Sequence, residues 1–320
     1  MGNIGTGTYK TCKMNHEHIV DVTGIDFEIT RILEIDTERD RGIAVDKSCF
    51  TQNIDDILND PEIEIVIELL GGVEPATDFM LKAMKAGKHV VTANKAAVAL
   101  AYDELMDTAR ANKVMFRFEA SVGGGIPILN ALTTALLANE YEEITGILNG
   151  TTNYILSKMR SEGKPYDEAL KEAQEKGFAE ADPTADVEGE DVANKLSILM
   201  SLIFHKRILP EDIPTRGITD TTIEDIKNAD EEDCIIKLVA TAYKNSEGEV
   251  DCYIQPTLLN KEHPLASVEN EFNAVFVRGN AVDELMFYGK GAGPMPTGSA
   301  VMGDVIEIGR AMVKGAAYDY

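Results

Sequence analysis

The sequence predicts an α/β protein, a doubly wound parallel sheet followed by an α+β region, and three observations carry that reading. Over residues 1–129 short apolar runs alternate with helical stretches, the pattern of strands joined by crossover helices. Three of the runs end in loop chemistry, at Gly71-Gly72, Asn94-Lys95 and Gly123–Gly125. In such sheets ligands gather at the carboxyl ends of strands, so the three loops point to one crevice. After Pro127 the alternation breaks, and the rest reads as α+β with an open, partly antiparallel sheet.

Taken in order, Thr8 to His18 reads as a helix after a glycine turn, and Phe27 to Ile35 as a strand. Ile54 to Asn59 is a short helix, and IEIVIELL, residues 63–70, a buried strand. Ala76 to Ala86 is a helix, His89 to Thr92 a strand, Ala97 to Asn112 a helix and Val114 to Glu119 a strand. Beyond Pro127, a helix from Leu129 to Leu137 leads to a strand, Glu143 to Leu148, then a helix from about Tyr154 to Arg160. Ile235 to Tyr243, Val250 to Thr257 and Asn273 to Arg278 read as strands. The final helix, Ser299 to Val313, is amphipathic and suited to packing back on the first region.

Composition narrows the function. Hydrophobic residues are 44% of 320, enough for a full core and for two domains. A formal charge of −25 argues against nucleic acid and anionic membrane as partners and leaves small molecules. No apolar run approaches the ~20 residues that span a bilayer, and MGNIGTGTYK lacks a signal peptide's apolar segment. Cys12, Cys49, Cys234 and Cys252 are scattered without CxxC spacing, which argues against disulfides and structural zinc and for a reducing cytoplasm. The acidic stretch Glu224 to Asp233 is read as a solvated face.

The densest chemistry lies in GFAEADPTADVEGEDVANKLSILMSL, residues 177–202. Glu180, Asp182, Asp186, Glu188, Glu190 and Asp191 precede a single lysine, Lys195. Val192, Leu196, Leu199, Met200 and Ile203 then recur at helical spacing. Asp191 and Lys195 share a helix face with Val192, Ile198, Leu199 and Leu202, which should point inward. A Lys–Asp pair on an apolar face is costly unless each group is partnered. Such a lysine can have a depressed pKa and act as general acid or base. The competing reading is an ordinary surface ion pair.

Other motifs each carry two readings. Gly2-Asn3-Ile4-Gly5-Thr6-Gly7 holds half of a GxGxxG fingerprint, Gly2 and Gly5 matching its second and third glycines. At a strand-to-helix turn such glycines let N–H groups approach a pyrophosphate; otherwise this is a plain glycine-rich start. Asp36 follows the next strand, where an acid bonds ribose hydroxyls, while Arg39 and Arg41 suit a 2′-phosphate, so NAD and NADP both stay open. Lys95, after Val91-Thr92-Ala93-Asn94, either holds an anionic or polarised group or simply opens a helix. Asn149 to Asn153 is a turn feeding a helix, with Thr151 or Thr152 as N-cap. Its free N–H groups suit a carboxylate, though a plain capped helix has the same sequence. Tyr288 to Pro294 is a glycine-rich loop that either closes over a cofactor or makes a tight connection.

Together these residues resemble homoserine dehydrogenase over almost the whole chain. The resemblance rests on VIELLGGVEPA, GKHVVTANKA, FEASVGGGIPI, GILNGTTNYIL, GFAEADPTADVEGEDVANKLSIL, HPLASV, NAVFVRG and ELMFYGKGAGPMPTGSAV, in that order. It implies a Rossmann-type dinucleotide-binding domain over 1–129. A substrate-binding, catalytic and dimerisation domain follows over 130–298, and a C-terminal helix over 299–320 returns to the nucleotide domain. It implies NAD- or NADP-dependent interconversion of L-homoserine and L-aspartate 4-semialdehyde, on the route to threonine and methionine, by a cytoplasmic homodimer.

By the same resemblance Lys195 is the catalytic lysine, Asp191 orients it and contacts the substrate hydroxyl, and Lys95 lies between cofactor and substrate. Glu180 binds the substrate amino group with help from Asp186, and Thr151, with Tyr154, belongs to the substrate site. Gly2, Asn3, Ile4, Gly5, Asp36, Gly71, Thr92, Lys95, Gly291 and Gly293 match cofactor contacts. Glu119, Val122, Gly124 and Ile126 match a monovalent-cation loop, and a carboxylate with backbone carbonyls suits a hard cation such as Na⁺.

Two departures from the family pattern stand out. The sequence stops at Tyr320, so the C-terminal regulatory ACT domain of many relatives, and threonine feedback through it, are expected to be missing. The first strand and first glycine of the fingerprint are missing, which leaves neighbouring strand edges unpaired; a misplaced start codon is the favoured explanation, a real truncation the alternative. Two further functions stay open: a non-catalytic dimerising remnant, or a related amino-acid dehydrogenase with another substrate.

Overall fold

The computed structural model describes residues 1–313; residues 314–320, the end of the expected C-terminal segment 299–320, lie outside the described residues. The chain divides into two units, Met1–Gly125 with the segment from Gly293 onward, and Ile126–Ala292.

In the first unit α1 runs over Asn3–Thr23. The helix starts five residues before the expected Thr8, with Gly2 as its N-cap in extended conformation. Gly2 and Gly5 therefore bracket the start of α1. Gly24, left-handed at φ 69°, ends α1 by returning its N–H to the Val20 carbonyl. Next come β1 (Ile32–Leu33), β2 (Phe50–Thr51), α2 (Asp55–Leu58), β3 (Ile65–Glu68), α3 (Ala76–Lys85), β4 (His89–Thr92), α4 (Lys95–Asn112) and β5 (Phe116–Arg117). All pairings here are parallel, in two separate sheets, β1-β2 and β3-β4-β5. Of the expected strand Phe27 to Ile35, only Ile32–Leu33 pairs. An apolar run becomes a strand only where a neighbour accepts its hydrogen bonds.

The second unit begins with α5 (Ile128–Asn130), which widens into a π-turn over Ala131–Ala135. It continues with β6 (Tyr141–Ile147), α6 (Gly150–Glu162), α7 (Tyr166–Glu175), α8 (Thr184–Val187), α9 (Glu190–Ile203) and α10 (Ile223–Glu231). The strands β7 (Cys234–Lys244), β8 (Val250–Asn260), β9 (Phe272–Gly279) and β10 (Asp283–Lys290) follow. These make one five-stranded sheet, ordered β10-β9-β6-β7-β8. Every pairing in it is antiparallel, where the sequence reading had it only partly so. β10 is a correction too: Tyr288, Gly289 and Lys290 are not the start of a glycine-rich loop but pair with Ala274, Asn273 and Phe272 on β9. Gly289 lacks a side chain to show the strand's alternation, which hid it.

The last described helix, α11 (Pro294–Met312), belongs to the first unit and crosses α1 at close range. A Cβ on Gly7 would fall 2.0 Å from the Pro294 carbonyl oxygen, and one on Gly298 would fall 2.7 Å from the Thr8 nitrogen. Val301, Met302, Val305 and Ile308 of α11 pack with Cys12 and Ile19 of α1 and Val91 of β4 as this unit's core.

Candidate active site

The site in the second unit grows from the junction of β6 and α6. Leu148 follows β6, and Asn149 caps α6, its Oδ1 accepting from the Thr152 N–H at 2.8 Å. The cap is thus Asn149, not Thr151 or Thr152. Asparagine is among the best N-caps because its short side chain reaches the first free N–H groups. Thr151, buried, turns its hydroxyl to the Phe178 carbonyl at 2.7 Å and to Asp186 Oδ2 at 3.1 Å.

The helical spacing of Asp191 and Lys195 becomes a buried ion pair on α9. Lys195 Nζ donates to Asp191 Oδ2 at 2.7 Å, with both residues 7% exposed. It also donates to the Leu148 carbonyl at 2.6 Å. The surface-pair reading is excluded by that burial. Of the residues expected to point inward, Val192, Ile198 and Leu199 are buried alongside, with Leu196, while Leu202 is half-buried.

Asn149, which sequence reading did not place in the site, joins the acids. Its Nδ2 donates to Asp186 Oδ1 at 2.7 Å and to Asp191 Oδ2 at 2.8 Å. Burial, and then the Asp191 charge, push the Asp186 carboxyl above the usual carboxylate range, against the pull of Asn149, Thr151 and Lys195. The signal available in the sequence was only the cap preference; the two acids lie 37 and 42 residues away.

Other expected substrate residues fall differently. Glu180 is exposed, with Gln174 holding its backbone carbonyl at 3.1 Å. Its carboxylate makes no hydrogen bond or ion pair among the described residues. Tyr154 is buried, its hydroxyl donating to Glu172 at 2.6 Å and accepting from Lys176 at 2.8 Å. What Tyr154 offers nearby is its ring, 4.8 Å from that of Phe178.

The expected cofactor residues in the first unit gather at strand ends and at the start of α1. Gly2, Asn3, Ile4 and Gly5 form the first turn of α1, which has no side-chain cap and no acidic residue, so its N–H groups suit an anion. Thr92 ends β4; its hydroxyl donates to Glu68 at the end of β3 at 2.6 Å and accepts from the Asn94 N–H at 2.9 Å. Glu68 is buried, which holds its carboxyl above the usual range. Asn94 caps α4 at Ala97 and ties down the Gly72 carbonyl at 2.7 Å, beside exposed Gly71. Lys95 follows at the first position of α4, half-buried.

Asp36 is exposed, and its carboxylate accepts from the Arg39 N–H. Arg41 is committed to Glu34 at 3.0 Å and to the backbone carbonyls of Met1, Arg39 and Asp36, which leaves Arg39 the exposed arginine here. Gly293 is left-handed at φ 119°; Gly291, in the second unit, is buried where any Cβ would strike the Asn273 amide at 2.0 Å.

On the cation loop, Glu119 is buried and its N–H donates to Asp304 at 2.9 Å. Gly123 and Gly124 are both left-handed, and Val122 and Ile126 are buried. Among the described residues no group of three or more His, Cys, Asp or Glu is placed to hold a metal ion.

A parallel-stranded unit whose first helix opens with uncapped N–H groups, and a second unit holding a buried lysine on an aspartate, agree with an NAD(P)-dependent oxidoreductase acting on a CH–OH group, the class to which the family matches assign the chain. The family profile described as homoserine dehydrogenase matches residues 127–306, and the one described as homoserine dehydrogenase, NAD binding domain, matches residues 1–119. A homoserine dehydrogenase of Bacillus subtilis is 42% identical over 315 residues, covering 98% of this chain and 72% of that protein. The crystal structure of a homoserine dehydrogenase from Thiobacillus denitrificans aligns over all of this chain and 74% of that one, at TM-score 0.92 and 40% identity. A hyperthermophilic archaeal homoserine dehydrogenase in complex with NADPH aligns at TM-score 0.68 and 30% identity, covering 80% of this chain and 74% of that one. The chain belongs to the homoserine dehydrogenase family.

Proposed function

We propose that this chain interconverts L-homoserine and L-aspartate 4-semialdehyde with NAD or NADP, on the route to threonine and methionine. The observation that carries the reading is the buried Lys195–Asp191 pair, a proton-transfer group fixed in place beside further acids. The bound dinucleotide supplies the hydride acceptor. When homoserine is oxidised the hydride leaves C4, and Lys195 takes the C4 hydroxyl proton; in reverse it returns that proton to the aldehyde oxygen. Asp191 orients the ammonium. The N–H groups at the start of α6 and Thr151 face the substrate carboxylate, while Asp186 and Glu180 face its amino group.

The residues of the first unit fit the dinucleotide. The uncapped first turn of α1 takes the pyrophosphate, and the Gly71, Thr92 and Lys95 loops line the strand ends. Asp36 and Arg39, both exposed, are the groups that choose between ribose hydroxyls and a 2′-phosphate. Gly291 and Gly293 belong to the same cofactor-binding proposal. Glu119, Val122, Gly124 and Ile126 are assigned to a monovalent cation, Na⁺ in the first instance.

A cytoplasmic location and a homodimer built through the second unit complete the proposal. Four free cysteines support the first. Open sheet edges at β8 and β10, with Leu258 of β8 55% exposed, support the second. The test is the absorbance of reduced cofactor formed from L-homoserine with NAD⁺ or NADP⁺ in parallel, at alkaline pH because Lys195 acts as a base in that direction. Turnover with homoserine is expected, and its absence with both cofactors overturns the proposal for this chain.

A further inference from the structure

We propose that Asn149 is a positioning residue for the acid–base pair, holding Asp191 on Lys195 and separating Asp191 from Asp186. The inference rests on the function proposed above and adds a residue to it. Asn149 is 4% exposed, and its amide is fully used. Both N–H bonds of Nδ2 go to carboxylates, Asp186 at 2.7 Å and Asp191 at 2.8 Å. Oδ1 accepts from the Thr152 N–H at 2.8 Å and the Thr152 hydroxyl at 3.0 Å. An amide has two donors and one oxygen with two lone pairs, so this pattern admits one orientation. Flipped, the oxygen would face two carboxylates and the NH₂ would face an N–H. The helix cap therefore dictates that donors point at the acids.

The consequence reaches Lys195 by two routes from consecutive residues. Leu148 accepts from Nζ directly, and Asn149 binds the same Asp191 oxygen that Nζ does. Two neighbouring carboxylates, one buried and one half-buried, repel, and a neutral double donor between them offsets that repulsion without adding a charge that competes with Lys195 for Asp191.

Asn149→Asp keeps the size and the capping oxygen, removes both donors and adds a third acid. We expect kcat for homoserine oxidation to fall about 100-fold, with the cofactor Kd from calorimetry within about twofold of wild type. Asn149→Asp combined with Asp186→Asn restores one amide–carboxylate contact and the original cluster charge, and should recover about tenfold of the lost kcat; a purely structural role makes the two losses add. Asn149→Ser, which keeps a capping oxygen but has no donor reaching the acids, should lower kcat about tenfold without added charge. A kcat within about threefold of wild type in Asn149→Asp or Asn149→Ser, or no recovery in the double variant, overturns the role of Asn149. Wild type assayed alongside separates the two readings: a wild type inactive on homoserine overturns the function itself, whereas active wild type with unaffected variants overturns only this inference.

Discussion

Lys195 Nζ lies 2.7 Å from Asp191 Oδ2, one helical turn back on α9, in surroundings that leave each residue 7% exposed. A buried ion pair is weak evidence for stability, because desolvating two charges offsets much of their attraction. The role proposed for this pair is proton transfer. Lys195→Ala should lower kcat by about 10²–10⁴-fold while changing the homoserine KM only a few-fold. Steady-state kinetics in both directions provide the measurement, and near-normal turnover removes Lys195 from the mechanism.

Glu180 tests substrate recognition separately from chemistry. Its carboxylate is exposed and makes no hydrogen bond or ion pair among the described residues. Glu180→Ala should raise the homoserine KM about tenfold and leave kcat within about threefold, since it removes a charge-assisted contact made equally in ground and transition states. An unchanged KM rules out that contact.

Lys237 predicts a pH dependence of stability. It is 1% exposed on β7, with Nζ donating to the Val268 carbonyl at 2.6 Å and Asn153 at 3.0 Å, and Glu269 3.8 Å away. Burial pulls its pKa from 10.5 down to about 8, against Glu269 and with help from Arg160. Below about 8 the lysine is charged in both folded and unfolded chains, and the full desolvation penalty applies. Between about 8 and 10.5 the unfolded chain binds more protons, so stability rises with pH through that window. The whole effect is about 3 kcal/mol. Melting temperatures of wild type and Lys237→Met across this range should show wild type gaining on the variant as pH rises. Parallel curves would contradict it.

The crossing of α1 and α11 depends on glycine. In an ordinary helix interior Gly→Ala stabilises by about 0.5–1 kcal/mol. At Gly7 a Cβ would meet a backbone oxygen at 2.0 Å, which requires the helices to part. Overpacking of that kind costs about 1–3 kcal/mol and outweighs the propensity gain. Gly7→Ala should lower the melting temperature by several degrees in calorimetry, and an unchanged or higher value shows that α11 can shift freely.

The pattern of apolar spacing was enough to place α9 and to put Asp191 and Lys195 on its buried face, because a helix face is a local property of the chain. The alternation of strands and helices likewise identified the parallel sheets, and contiguous motifs identified the family. Strand extent was not legible: FEITRILEI has the composition of a nine-residue strand, yet two of its residues pair, because pairing needs a partner edge that no local pattern contains. Nor did residue type reveal that Arg41 is held by Glu34 and that the Thr92 hydroxyl is taken by Glu68. Asn149 shows the division most clearly. A cap before α6 was legible locally, though it was expected at Thr151 or Thr152 and lies at Asn149, whose two carboxylate partners come from α8 and α9. Tertiary packing decided that bridge, because hydrogen bonds between distant side chains form only where the core brings them together and excludes the water that would otherwise take their place.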